Sequence, residues 1–199
     1  MTLKNGSRIW IEAVAPNTGE GNDRVPELKE DCVSDLPKDE CLLRLAQGIK
    51  AKKDKFESYR SKGVVNPNDA CIIAVSSCAL NQFGSLLDYP CPAPISVLSG
   101  ANKMVLSKNK PPCVSKRQMI PKSSGSPVDV CVFDDPSYDM ISAVLYSSED
   151  PLNAPPNPEL SFQMFLNPRA IIPIPENFLN NITCWHSEKY GDGVEWRRL

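Results

Sequence analysis

The chain has 199 residues, with 22 lysines and arginines against 24 aspartates and glutamates and a formal net charge of -2. That balance excludes a globally basic nucleic-acid binder and leaves only a local basic surface as a route to phosphate. The length suits one domain with a substantial core, and no segment approaches the roughly 18–20 apolar residues of a membrane-spanning helix. The first ten residues carry Lys4 and Arg8 without the apolar run of a secretory signal, so a cytoplasmic location is expected.

Residues 8–15, RIWIEAVA, read as a strand that ends at Pro16 and the glycines of the next loop. Alternation places Ile9, Ile11, Ala13 and Ala15 on one face and Trp10, Glu12 and Val14 on the other. Asn5-Gly6 just before it has the form of a hairpin turn. After an acidic, irregular stretch, Pro37 followed by Asp39 and Glu40 marks a helix start, because the helix dipole favours carboxylates in the first turn. The helix is expected over about residues 38–60, with Leu42, Leu45, Ala46, Ile49 and Phe56 as its buried stripe and Gly63 as its stop.

Residues 71–77, CIIAVSS, form a short apolar run suited to a central strand covered on both faces, so strand, helix and strand compose a βαβ crossover. Further strands are expected at 128–133, 141–147 and 160–166. Fifteen of the nineteen prolines lie at or beyond Pro90, which excludes long helices from the second half. The fold class expected is α/β: a single domain over 1–199 with a mixed sheet, one long helix and a loop-rich second half. A subdivision into a core at 1–110 and an extension at 111–199 is the alternative organisation.

Eight cysteines occur without a CxxC pair, and Cys71 and Cys131 sit in apolar runs that read as core strands. They are expected to be reduced, buried or half-buried thiols. Cys184 and His186 form the one short Cys/His pair, which lacks the second pair a structural zinc site needs.

Two residues stand out against their surroundings. Glu12 interrupts an apolar strand and needs either a partner, as an outward-facing structural glutamate, or a metal ion. Lys53 falls within the buried stripe of the helix, where its stem either lies over apolar surface or carries the ammonium toward Glu12. Basic residues from Lys38 to Lys62, among them Arg44 and Lys50, offer phosphate contacts, although interleaved acids also fit a solvated helix face.

IWIEAVAP, GEGNDRVPEL, LLRLAQGIKAKKDKFESYRSKGVV, CIIAVSS, ISAVLYSSEDPLN and FLNPRAIIPIP together resemble poorly characterised bacterial proteins with a PD-(D/E)XK nuclease-like core. The resemblance implies a restriction-endonuclease-like fold in which an Asp on one strand and a Glu-x-Lys on the next hold Mg²⁺ or Mn²⁺. Glu12 then matches the metal-binding glutamate, Val14 stands where the lysine belongs, and Met1 to Lys4 supply no acid, as if the chain were truncated at its N-terminus.

Two readings follow from that resemblance, and a third stands apart from it. A degenerate nuclease-like domain would bind a protein or nucleic-acid partner without cleaving it. A metal-dependent nuclease would use Glu12 and a relocated Lys53 as catalytic residues, Glu12 and Asp69 as metal ligands, and Lys50 and Arg44 as nucleic-acid contacts. An unrelated function or a translocated bacterial effector is the third reading, and oligomeric state is left open.

Overall fold

The computed structural model of the chain describes residues 6–27, 35–80, 87–88, 91–108, 110–123, 125–149, 154–157, 161–175, 178–179, 181–190 and 193–198. Strand β1 (Ile9–Val14) is followed by helix α1 (Lys38–Ser61), β2 (Ala70–Ser76) and the short helix α2 (Ala93–Leu98). Two small hairpins come next, β3 (Ala101–Ser107) with β4 (Lys110–Lys116) and β5 (Met119–Pro121) with β6 (Pro127–Asp129). Strands β7 (Ala143–Ser147), β8 (Gln163–Leu166), β9 (Thr183–Tyr190) and β10 (Gly193–Arg198) complete the chain.

The main sheet has six strands in the order β1-β2-β7-β8-β9-β10. β1, β2 and β7 run parallel, β8 is antiparallel to β7, β9 is parallel to β8, and β10 turns back on β9. The fold is therefore α/β with a mixed sheet, and α1 is the crossover of the expected βαβ unit. β1 and β2 come from the first 110 residues and β7 to β10 from the remainder, so one sheet joins both halves.

Strand alternation builds two cores. On one face Leu42, Leu45, Ala46, Ile49 and Phe56 of α1 meet Cys71, Ile73 and Val75 of β2, Val144 and Tyr146 of β7, and Phe165 of β8. All five helix residues are 2% exposed or less, and full burial of each large one stabilises by about 1.5–3 kcal/mol. On the other face Ile9, Ala70, Ile72, Ala143, Met164 and Leu166 pack with Ile174 from the loop after β8. α1 ends where Lys62 N–H bonds back to Ser58 and Gly63 takes φ +70°, a conformation that favours glycine.

The strand expected over 128–133 is corrected. β6 stops at Asp129, and Cys131 adopts φ 64° while the Cys131 and Val132 N–H groups both donate to the Val97 carbonyl. Val130, Val132 and Phe133 are buried against the α2 side rather than in a ladder, because a short apolar run satisfies a buried turn as well as a strand. Cys41, Cys71, Cys131 and Cys184 are buried free thiols, and Cys78 and Cys91 are half-buried ones.

Candidate functional site

Glu12 points toward α1, as the alternation of β1 requires. Three residues on one flank of the helix receive it: Lys55 Nζ at 2.8 Å, Lys52 Nζ at 3.4 Å and the Tyr59 hydroxyl, which donates at 3.0 Å. At 100° per residue, positions 52, 55 and 59 fall within about 60° of one another, so one helix face presents all three. The Lys55 ammonium also lies 5.5 Å from the centre of the Tyr59 ring. Burial raises the Glu12 carboxyl, but hydrogen bonds from Lys55 and Tyr59 and the charges of Lys55 and Lys52 outweigh it and hold the group below its ordinary range. Glu12 accordingly stays ionised, 16% exposed, in a cluster with an excess of one positive charge.

This donor set does not suit a divalent cation. Oε2 is taken by two ammonium groups and Oε1 by the tyrosine, whereas Mg²⁺ or Mn²⁺ requires several free oxygen ligands in octahedral array. An ion at about 2.1 Å from the carboxylate would also face two lysine charges a few ångströms away.

The other sequence candidates lie apart from Glu12. Lys53 is buried, 8% exposed, but its ammonium turns to the far side of α1, pairing with Glu57 at 2.7 Å and lying 5.6 Å from the centre of the Tyr138 ring. Asp69 sits just before β2 and fastens the start of β1, accepting from Arg8 N–H, the Trp10 indole and Asn66 N–H, each at 3.0 Å. Burial raises its pKa, yet those hydrogen bonds prevail and lower it. In register Glu12 lies opposite Ile73, four residues from Asp69 or about 13 Å along the strand, too far for the backbone positions to serve one small ion comfortably.

Arg44 and Lys50 are likewise engaged within the chain. The Arg44 guanidinium donates to the Asp23 carbonyl at 2.8 Å and to Gln47 at 3.4 Å, and it lies against Gly19, where any side chain would overlap it. It tethers the loop after β1 to the helix. Lys50 forms an exposed i,i+4 pair with Asp54 at 3.0 Å. His186 lies on β9 opposite Arg197, and no group of three or more metal-ligating side chains occurs among the described residues.

Two features escaped the sequence reading. Tyr59, Lys52 and Lys55 carry the signal of a shared helix face, which was visible in their spacing. A buried polar chain in which the Tyr146 hydroxyl lies 2.8 Å from Ser77 Oγ and 3.0 Å from Asp88 carried no local signal, because its members are 58 and 69 residues apart. Beyond these, a shallow apolar groove of about 330 Å³ opens at the carboxyl ends of β1, β2 and β7, lined by Ala13, Ala15, Ala74, Ser76, Leu145 and Phe162 among others.

The fold and the cluster together define an α/β domain with a βαβ unit at one edge of a mixed sheet and a lysine-neutralised glutamate on its edge strand. Comparisons with protein families, curated proteins and solved structures give no match.

Proposed function

We propose that the chain is a nuclease-like binding domain that does not hydrolyse phosphodiesters. The observation that carries this reading is the environment of Glu12: two lysines and a tyrosine occupy the carboxylate that a hydrolase of this kind would reserve for metal. Val14 at the position the resemblance reserves for lysine supports it, as does Lys53, which is paired with Glu57. In the alternative reading, a Mg²⁺- or Mn²⁺-dependent nuclease, Lys53 would have to leave Glu57 and Asp69 would have to release the Arg8, Trp10 and Asn66 donors. A bacterial, cytoplasmic setting belongs to the same proposal and rests on the sequence blocks that suggest the family.

The test is incubation of purified protein and Glu12→Ala with single- and double-stranded DNA and RNA, with Mg²⁺, Mn²⁺ or chelator. No cleavage above the level of the variant is expected. Metal-dependent cleavage that disappears in Glu12→Ala would establish the nuclease instead.

A further inference from the structure

The open edge of β1 has a definite chemistry. Ala70 N–H donates to the Arg8 carbonyl, and the ladder is parallel with Ile9 opposite Ala70. Residues 8, 10, 12 and 14 therefore aim their peptide groups at β2, while Ile9, Ile11 and Ala13 aim theirs away from it. Among the described residues β1, over Ile9–Val14, is the terminal strand of the six-stranded sheet.

Edge strands ordinarily carry protection such as an outward lysine, a proline or a bulge. β1 has none of these over Ile9–Val14, and its one charge, Glu12, is folded back onto α1. Ile11 is 50% exposed, and Ala13 beside it begins the apolar groove. On the opposite face of the same edge, Lys52 and Lys55 share a single carboxylate, and Lys55 is 44% exposed.

We propose that this edge accepts an extended peptide segment whose side chains alternate between acidic and apolar, adding a strand beside β1. Its backbone pairs with the peptide groups of Ile11 and Ala13. Apolar side chains lie against Ile11 and the groove at Ala13 and Ala15. An acidic side chain beside Glu12 completes a cluster of two lysines and two carboxylates, removing the charge excess. The inference deepens the binding reading by naming the partner, and its failure would leave the absence of hydrolysis standing.

Charge decides against a second copy as the occupant. Antiparallel pairing of β1 with itself places both α1 helices on one side of the joined sheet, about 10 Å apart by strand spacing. Lys52 and Lys55 of each copy would then face those of the other, with no acid on that flank of α1 among the described residues to separate them beyond the two Glu12 groups already engaged.

The experiment uses the full chain and fluorescence anisotropy with a labelled peptide of alternating valine and glutamate, beside its valine–lysine counterpart and a single-stranded oligonucleotide. Saturable binding of the glutamate peptide is expected, weaker by about tenfold or more for the lysine peptide. Ala13→Pro should abolish it while keeping the fold, because the lost N–H faces the open side and not β2. The double variant Lys52→Glu, Lys55→Glu should reverse the charge preference, which a merely unfolded protein would not do. Equal binding of both peptides, no saturation by about 1 mM, or displacement of the peptide by the oligonucleotide overturns the proposal. Sedimentation of the chain as a dimer that Ala13→Pro dissociates would overturn it too, assigning the edge to a second copy.

Discussion

Replacing Asp69 by asparagine keeps the side chain's shape but leaves one acceptor oxygen where there were two. The carboxylate takes Arg8 N–H on Oδ1 and both the Trp10 indole and Asn66 N–H on Oδ2, all at 3.0 Å, at a residue 4% exposed. If the asparagine carbonyl takes the place of Oδ2, its NH₂ meets the Arg8 N–H, donor against donor. One buried donor left unpaired, with loss of the charge-assisted character of the rest, costs about 2–3 kcal/mol at neutral pH. Urea unfolding followed by tryptophan fluorescence measures this directly.

The pH dependence supplies a second check on the same substitution. The Asp69 carboxyl is depressed below its ordinary value of 3.8, so its contribution is fully present above that pH and is lost as pH falls through the folded-state value. The stability gap between wild type and Asp69→Asn should narrow below about pH 4. A difference under about 0.5 kcal/mol at pH 7 that does not change on acidification would refute the role of Asp69 as the pin between β1 and β2.

Other consequences are as direct. Tyr146→Phe removes the hydroxyl that joins Ser77 to Asp88 and should cost about 1–2 kcal/mol in denaturant unfolding; an unchanged midpoint would mean that water replaces the chain of hydrogen bonds without loss. Phe56→Ala empties a site that is 0% exposed under α1 and should cost about 3–5 kcal/mol, read from the same curves. Burial pushes the Cys41 thiol up to about 12 and the Cys71 thiol up to about 11, so iodoacetamide under native conditions should label the half-buried Cys78 and Cys91 before Cys41 and Cys71. Mass spectrometry finding Cys41 or Cys71 modified ahead of them would contradict the packing of α1 on β2.

The βαβ unit was legible because its signals are local. Period-two alternation in 8–15, the apolar stripe of α1 and the apolar run before Ser77 each specify an element without knowledge of the rest. β9 and β10 were not legible, because TCWHSEKY and GVEWRR mix charges with aromatics. Their identity as strands depends on Trp185 stacking on Phe165 and Trp196 meeting the same ring edge-on. The run at 128–133 was misread for the opposite reason: its hydrophobicity is local, but the turn at Cys131 depends on Val97, which lies far away in sequence.

The site divides in the same way. That Glu12 needs a partner could be read from a lone carboxylate in an apolar strand, and that Lys53 is buried could be read from the helical wheel. Which lysine reaches Glu12 could not, since it depends on how α1 is rotated above β1: the flank with Lys52, Lys55 and Tyr59 overhangs the strand, and the Lys53 ammonium reaches Glu57 and Tyr138. Asp69 looked like a free acid near a strand start only because its donors, Arg8 and Trp10, are some sixty residues away.

The central claim is that Glu12 is a lysine-neutralised carboxylate and not a metal ligand, and Mn²⁺ titration followed by paramagnetic broadening of assigned amide signals tests it most directly. Glu12 and its register partner Ile73 should show no selective broadening at Mn²⁺ up to about 1 mM. Selective broadening at both positions that vanishes in Glu12→Gln would contradict it and restore the metal-dependent nuclease.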